Sequence, residues 1–148
     1  MRMAACLGVS VDIIEPCGFT LSDRRFRRAG MDYLDHLELT VHESYAAYSS
    51  RRAAEDGRLV LLTTRAETPY TSFAFKSCDT LMVGRESVGV PDLVHNAADA
   101  RLRIPMAPAA GLRSLNVAIA AAMVLAEALR QTSQFPAPGE PPEMAHHD

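Results

Sequence analysis

The sequence predicts an α/β domain in which a mostly parallel sheet is covered by helices. Three observations lead there. Short apolar stretches alternate with helix-like stretches along the whole chain. Runs such as Leu59-Val60-Leu61-Leu62-Thr63 are continuously apolar, as strands buried on both faces require, rather than alternating as half-solvated strands do. The 148 residues, 48% of them hydrophobic, suffice for one domain that buries roughly 70% of its unfolded surface.

Met1 to Leu7 reads as a helix end stopped by Gly8, a residue suited to the left-handed conformation found there. Val9 to Ile14 reads as a strand closed by Glu15-Pro16. Ser22-Asp23 can cap a short helix running to Ala29, with Gly30 as its stop. Leu37 to Val41 is a modest strand, Ser44 to Glu55 a helix stopped by Gly57, and Leu59 to Thr63 the strongest strand. Thr80 to Val83 and Arg101 to Ile104 are further strands, with a small helix opening near Pro91 between them. An alanine-rich helix spans about Ser114 to Gln131. Residues 1–134 thus form the domain. The segment 135–148, with Pro136, Pro138, Pro141 and Pro142, reads as a disordered tail.

Composition narrows the chemistry. Fifteen basic against eighteen acidic residues leave a net charge of −3, so any nucleic-acid affinity must come from local patches. Cys6, Cys17 and Cys78 are odd in number and lack CxxC pairing, which suits reduced, semi-buried thiols in a reducing compartment. No cationic leader precedes an apolar core, and the run Val117 to Ala126 stops at Glu127, short of the ~20 residues a bilayer needs. A cytoplasmic location is expected. His42-Glu43 lacks the second histidine of a zinc-protease helix, and no serine sits in a G-x-S-x-G elbow. No metal site is expected, and His36, His42 and His95 read as ordinary surface or half-buried histidines.

In a parallel sheet, ligands bind outside the carboxyl ends of the strands. Three such ends stand out: Leu62-Thr63-Thr64; the two-glycine loop Gly84-Arg85-Glu86-Ser87-Val88-Gly89; and Ile104-Pro105-Met106, followed by Arg113-Ser114-Leu115-Asn116 at the last helix. Glycine there lets a ligand approach the main chain, and isoleucine and methionine suit a flat base. Ser114 or Asn116 can cap the helix or meet polar groups of a ligand. Taken alone, Gly84 and Gly89 read more readily as turn punctuation; it is their combination with the other strand ends that points to a ligand. Neither a Walker loop nor a dinucleotide fingerprint is present.

Basic character concentrates at Arg24, Arg25, Arg27 and Arg28, followed by Tyr33. Arginine forks suit phosphate oxygens and a tyrosine can stack on a base; a solvated helix face balanced by Asp23 and Asp32 explains the same residues. Arg51, Arg52 and Arg58 read as an exposed helix face.

The strand-end segments, with Ile13-Ile14-Glu15-Pro16-Cys17-Gly18-Phe19 and Arg27-Arg28-Ala29-Gly30-Met31-Asp32-Tyr33, resemble the motifs of SPOUT-class RNA methyltransferases. Within that class they are most similar to the TrmL branch, over nearly everything from Arg2 to about Gln131. The resemblance implies a C-terminal deep trefoil knot, S-adenosylmethionine as cofactor and a homodimer. It implies transfer of a methyl group to the ribose 2′-hydroxyl of the wobble nucleotide, C or modified U at position 34, in the anticodon stem-loop of leucine tRNAs. Carried over by motif, cofactor contacts fall on Leu62, Gly84, Ile104 and Ser114, the catalytic role on Arg2, and RNA contacts on the arginine cluster and Tyr33. Members of this family open with an apolar strand and an N-x-G-x-x-x-R loop, of which Arg2 would be the arginine. The resemblance therefore also implies a functional protein longer by about one strand and its loop, on the order of 15 to 20 residues. Two rival readings are a non-catalytic tRNA-binding remnant and a different nucleotide-using enzyme.

Overall fold

The computed structural model describes residues 1–17, 37–107 and 114–137. The expected helix from Ser22 to Ala29, the arginine cluster with Tyr33, and most of the proline-rich tail lie outside the described residues.

The chain begins with helix α1 (Arg2–Leu7), closed by Gly8 in the left-handed region. The Val9 N–H donates to Ala4 O at 2.9 Å and the Gly8 N–H to Ala5 O at 3.3 Å, which satisfies carbonyls left open at the helix end. That bond commits Val9 to the helix terminus, so strand β1 (Val11–Ile14) starts two residues later than the sequence suggests. Strand β2 (Leu39–His42) pairs with it in parallel, Ile14 opposite His42. Helix α2 (Tyr45–Arg52) follows, with the Ser44 hydroxyl capping Ala47 N–H at 3.2 Å. It ends at Arg52 rather than Glu55, where residues 53–55 close in turns on Ser49, Arg51 and Arg52 carbonyls.

A second sheet contains β3 (Leu59–Leu62), β4 (Thr68–Pro69), β5 (Thr80–Val83) and β6 (Ala100–Arg103), in the order β4-β6-β3-β5, all parallel. A short 3-10 turn, Tyr70–Ser72, follows β4. Helix α3 (Asp92–Ala97) lies between β5 and β6, and α4 (Val117–Thr132) ends the described fold. The parallel, helix-covered architecture is as the sequence predicts. Among the described residues, however, the strands form a two-stranded and a four-stranded sheet instead of one.

Alternate side chains of β3 seal the two faces of the larger sheet. Leu59 and Leu61 pack with Tyr48 of α2 and Ala98. Val60 faces the other way, with Leu102, Phe75 and Val124 of α4. Leu59, Val60, Leu61, Leu102 and Val124 are essentially inaccessible to solvent; burying each side chain contributes roughly 1.5–3 kcal/mol. Gln131 fastens α4 to this layer. Its carbonyl oxygen accepts from Phe75 N–H at 2.9 Å and its amide donates to Phe73 O at 3.0 Å.

Several polar residues depart from the sequence reading. Arg58 is not on a helix face: it forks onto Asp79 at 2.7 and 2.8 Å and lies over the Phe73 ring. Burial of Asp79 would raise its carboxyl, but hydrogen bonds from Arg58 and the Lys76 N–H outweigh this and hold it below the usual range. Arg52 is largely covered and bonds to Gly57 O and Asp99. His42 is buried, not superficial, because its Nε2 meets Asp12 Oδ1 at 2.6 Å and its ring stands edge-on to Tyr48. Cys6 and Cys78 are exposed and Cys17 is half-buried. Cys6 faces outward on α1, while Ala4 takes the buried side.

Candidate cofactor pocket at the strand ends

The carboxyl ends of β3, β5 and β6 and the N-terminus of α4 surround one pocket of about 620 Å³. Its walls come from residues 62–65 after β3, residues 84–92 after β5, Ile104 and Met106 after β6, and Ser114, Leu115, Val117 and Ala120. Leu62, Gly84, Ile104 and Ser114, the four positions singled out in the sequence, all line it. Arg2 does not; it is an exposed residue opening α1.

The β5 loop is built for close approach. A Cβ on Gly84 would lie 2.5 Å from the Gly89 carbonyl carbon and 2.7 Å from its Cα, so only glycine fits without moving backbone. Gly89 itself has φ of 67°, a region that side chains disfavour. The loop closes on itself through Arg85 N–H to Gly89 O at 3.1 Å and Gly89 N–H to Arg85 O at 2.7 Å.

Helix α4 starts at Val117, three residues beyond the sequence estimate, and its cap is Asn116. Asn116 Oδ1 accepts from the Ala118 and Ile119 N–H groups at 3.0 and 3.3 Å. Its amide donates to Glu86 Oε1 at 3.1 Å. One side chain thus joins the glycine loop to the helix terminus. Ser114 precedes the helix as an exposed pocket residue and does not cap it.

Across the mouth, Arg65 pairs with Asp92 at 2.8 Å. That hydrogen bond and charge hold the Asp92 carboxyl below its ordinary value. Thr63, Thr64, Arg65, Leu115 and Ala120 join the wall without having been singled out in the sequence. Thr63, Thr64 and Leu115 stood inside segments that were, whereas Arg65 lies just past one of them and Ala120 reaches the pocket only because α4 carries it there, one turn beyond Asn116. Among the described residues, no group of three or more His, Cys, Asp and Glu side chains could hold a metal ion. No helix among them is long and apolar enough to cross a membrane.

Residues 1–126 match the model of the SpoU rRNA Methylase family. The chain belongs to that family. It is 58% identical over 131 residues to a tRNA (cytidine(34)-2′-O)-methyltransferase of Beijerinckia indica, covering 88% of this chain and 81% of the relative. An Escherichia coli K12 protein of the same name is 38% identical over 133 residues, covering 88% and 82%. A solved structure concerned with 2-OH methylation of C/U34 on tRNA superimposes with a TM-score of 0.78 at 37% identity, over 88% of this chain and 83% of that one. An AdoMet-bound rRNA methyltransferase from Sinorhizobium meliloti gives 0.75 at 26% identity, over 87% of this chain and 49% of that one.

Proposed function

We propose that this protein transfers the methyl group of S-adenosylmethionine to the ribose 2′-hydroxyl of the wobble nucleotide of tRNA, C or U at position 34. The observation that carries the proposal is the convergence of four separate strand-end and helix-start motifs on one pocket, in a chain whose relatives are named for that reaction.

The pocket fits the cofactor in size and chemistry. Its volume lies within the ~300–1,000 Å³ usual for small-molecule sites. Leu62, Ile104, Met106 and Leu115 offer apolar contact for an adenine ring, and the Gly84 main chain can be approached without a side chain intervening. Leu62, Gly84, Ile104 and Ser114 are the residues assigned to hold it. When bound, the cofactor supplies a sulfonium-activated methyl group. What remains for the chain is to orient the acceptor ribose, exclude water and assist loss of the hydroxyl proton. Arg2 is assigned to the acceptor side. A guanidinium stays protonated, so it donates hydrogen bonds to the hydroxyl or a neighbouring phosphate and does not take up the proton.

The reading extends to the rest of the molecule. Arg24, Arg25, Arg27, Arg28 and Tyr33 hold the anticodon stem-loop, the C-terminal part forms a trefoil knot, and the active species is a cytoplasmic homodimer. Support for the dimer is the apolar outer side of α4, where Ile119 and Met123, one turn apart, are 56% and 37% exposed.

The test incubates the purified chain with isotopically labelled methyl donor and a leucine tRNA, followed by mass spectrometry of the nucleosides. Label on the 2′-oxygen of nucleotide 34 is expected, and Arg2→Ala should abolish it with cofactor binding retained. Binding of tRNA without methylation, in the presence of cofactor, would overturn the proposal.

A further inference from the structure

We infer that Arg85, on the glycine loop, is a substrate-binding residue that holds a phosphate of the RNA beside the nucleotide to be methylated. The inference rests on reading the pocket as the site of RNA methylation. It concerns a residue that stands inside the glycine-loop segment but to which the resemblance assigns no role.

Two arginines among the described residues line the pocket, Arg65 and Arg85. Arg65 is already engaged, its guanidinium 2.8 Å from Asp92. Arg85 is exposed, and among the described residues its guanidinium has neither a carboxylate nor a carbonyl partner. The neighbouring carboxylate of Glu86 instead accepts the Asn116 amide. A cation left unpaired at the rim of a site, in a chain of net charge −3, is a local exception to a field that repels polyanions.

The backbone beneath Arg85 is fixed before any ligand arrives. The reciprocal Arg85–Gly89 hydrogen bonds close the loop, and the Glu86–Asn116 bond ties it to α4. The guanidinium therefore needs only side-chain ordering to engage a partner, which lowers the entropic cost of contact. Exposure decides which anion it serves. A single exposed ion pair with a small ligand's carboxylate contributes little. A phosphodiester on RNA adds counterion release and accepts both prongs of the arginine fork.

The experiment measures tRNA binding by wild type, Arg85→Gln and Arg85→Lys over a series of salt concentrations, with calorimetric titration of S-adenosylmethionine in parallel. Losing one phosphate contact should weaken tRNA binding several-fold and make the slope of log K against log salt shallower by about 0.7–0.9. Arg85→Lys should restore the slope without full affinity. Cofactor affinity should be the same in all three proteins. Arg130→Gln, which removes a cation already paired with Glu127 at the far end of α4, should leave the slope alone. A wild-type slope in Arg85→Gln would overturn the inference. So would a selective loss of cofactor affinity, which would assign Arg85 to the cofactor's carboxylate. Failure of the wild type to bind the methyl donor at all would instead sink the functional reading beneath it.

Discussion

Along β3 the surroundings change within one residue. Leu59, Val60 and Leu61 are sealed between α2 and α4, whereas Leu62 is only half-buried and lines the pocket. The same contrast recurs on β6, where Leu102 is fully buried and Ile104, two positions on, faces the pocket. The strand middles obey packing alone. Their carboxyl ends, where the pleat gives way to loops, are released from the core and can address a ligand. Stability and binding are therefore carried by adjoining but separable residues, and substitutions on either side of that boundary should behave differently.

The largest effect belongs to the middle. Leu61→Ala should cost about 2–5 kcal/mol, through lost burial and the cavity left behind, and lower the melting temperature markedly. Any folded fraction should still bind cofactor, because Leu61 does not line the pocket. An unchanged melting temperature would show that the β3 core is not the stabilising element.

At the boundary, Asn116→Ala should act on both properties. Loss of the cap costs about 1 kcal/mol, measurable by denaturant titration. Release of Glu86 frees the glycine loop and should weaken cofactor binding beyond what the stability change explains. A variant that loses stability alone would make Asn116 a cap and nothing more.

The smallest effect lies back in the core. The Tyr48 hydroxyl is buried without a hydrogen-bond partner among the described residues, so Tyr48→Phe should be nearly neutral at pH 7. Burial pushes the Tyr48 hydroxyl up from 10.0 to about 12. The unfolded chain then releases its proton first, so this group's contribution is intact below pH 10 and is lost as pH rises toward 12. Wild type should destabilise across that window more than Tyr48→Phe. Parallel pH-melting curves for the two would contradict the assignment.

How much of this was legible in the sequence follows from the same contrast. The strand middles announce themselves as uninterrupted apolar runs, and β5 begins and ends at the residues expected, Thr80 and Val83. Strand β4 left no such trace, because two residues ending in Pro69 carry no periodicity and, among the described residues, pair with β6 alone. The segments holding Leu62, Gly84, Ile104 and Ser114 were legible because they stood at strand and helix ends, where the fold class places ligands, and the family resemblance then picked out those four positions within them. The Glu86–Asn116 bond was not, since it joins positions thirty residues apart and depends on where α4 starts. Nor could the pairing of Arg58 with Asp79 be read: nothing local distinguishes an arginine at a strand entrance from one on a solvated helix.

The most direct measurement of the central claim is calorimetric titration of S-adenosylmethionine into wild type and Gly84→Ala, with melting curves for both. A methyl at residue 84 must displace the Gly89 backbone while leaving the β3 core untouched. Saturable binding to wild type is expected, weakened about tenfold or more in the variant, a loss of at least ~1.4 kcal/mol, with a cooperative melting transition retained. Equal affinity in the two proteins, or no binding to wild type, would contradict it.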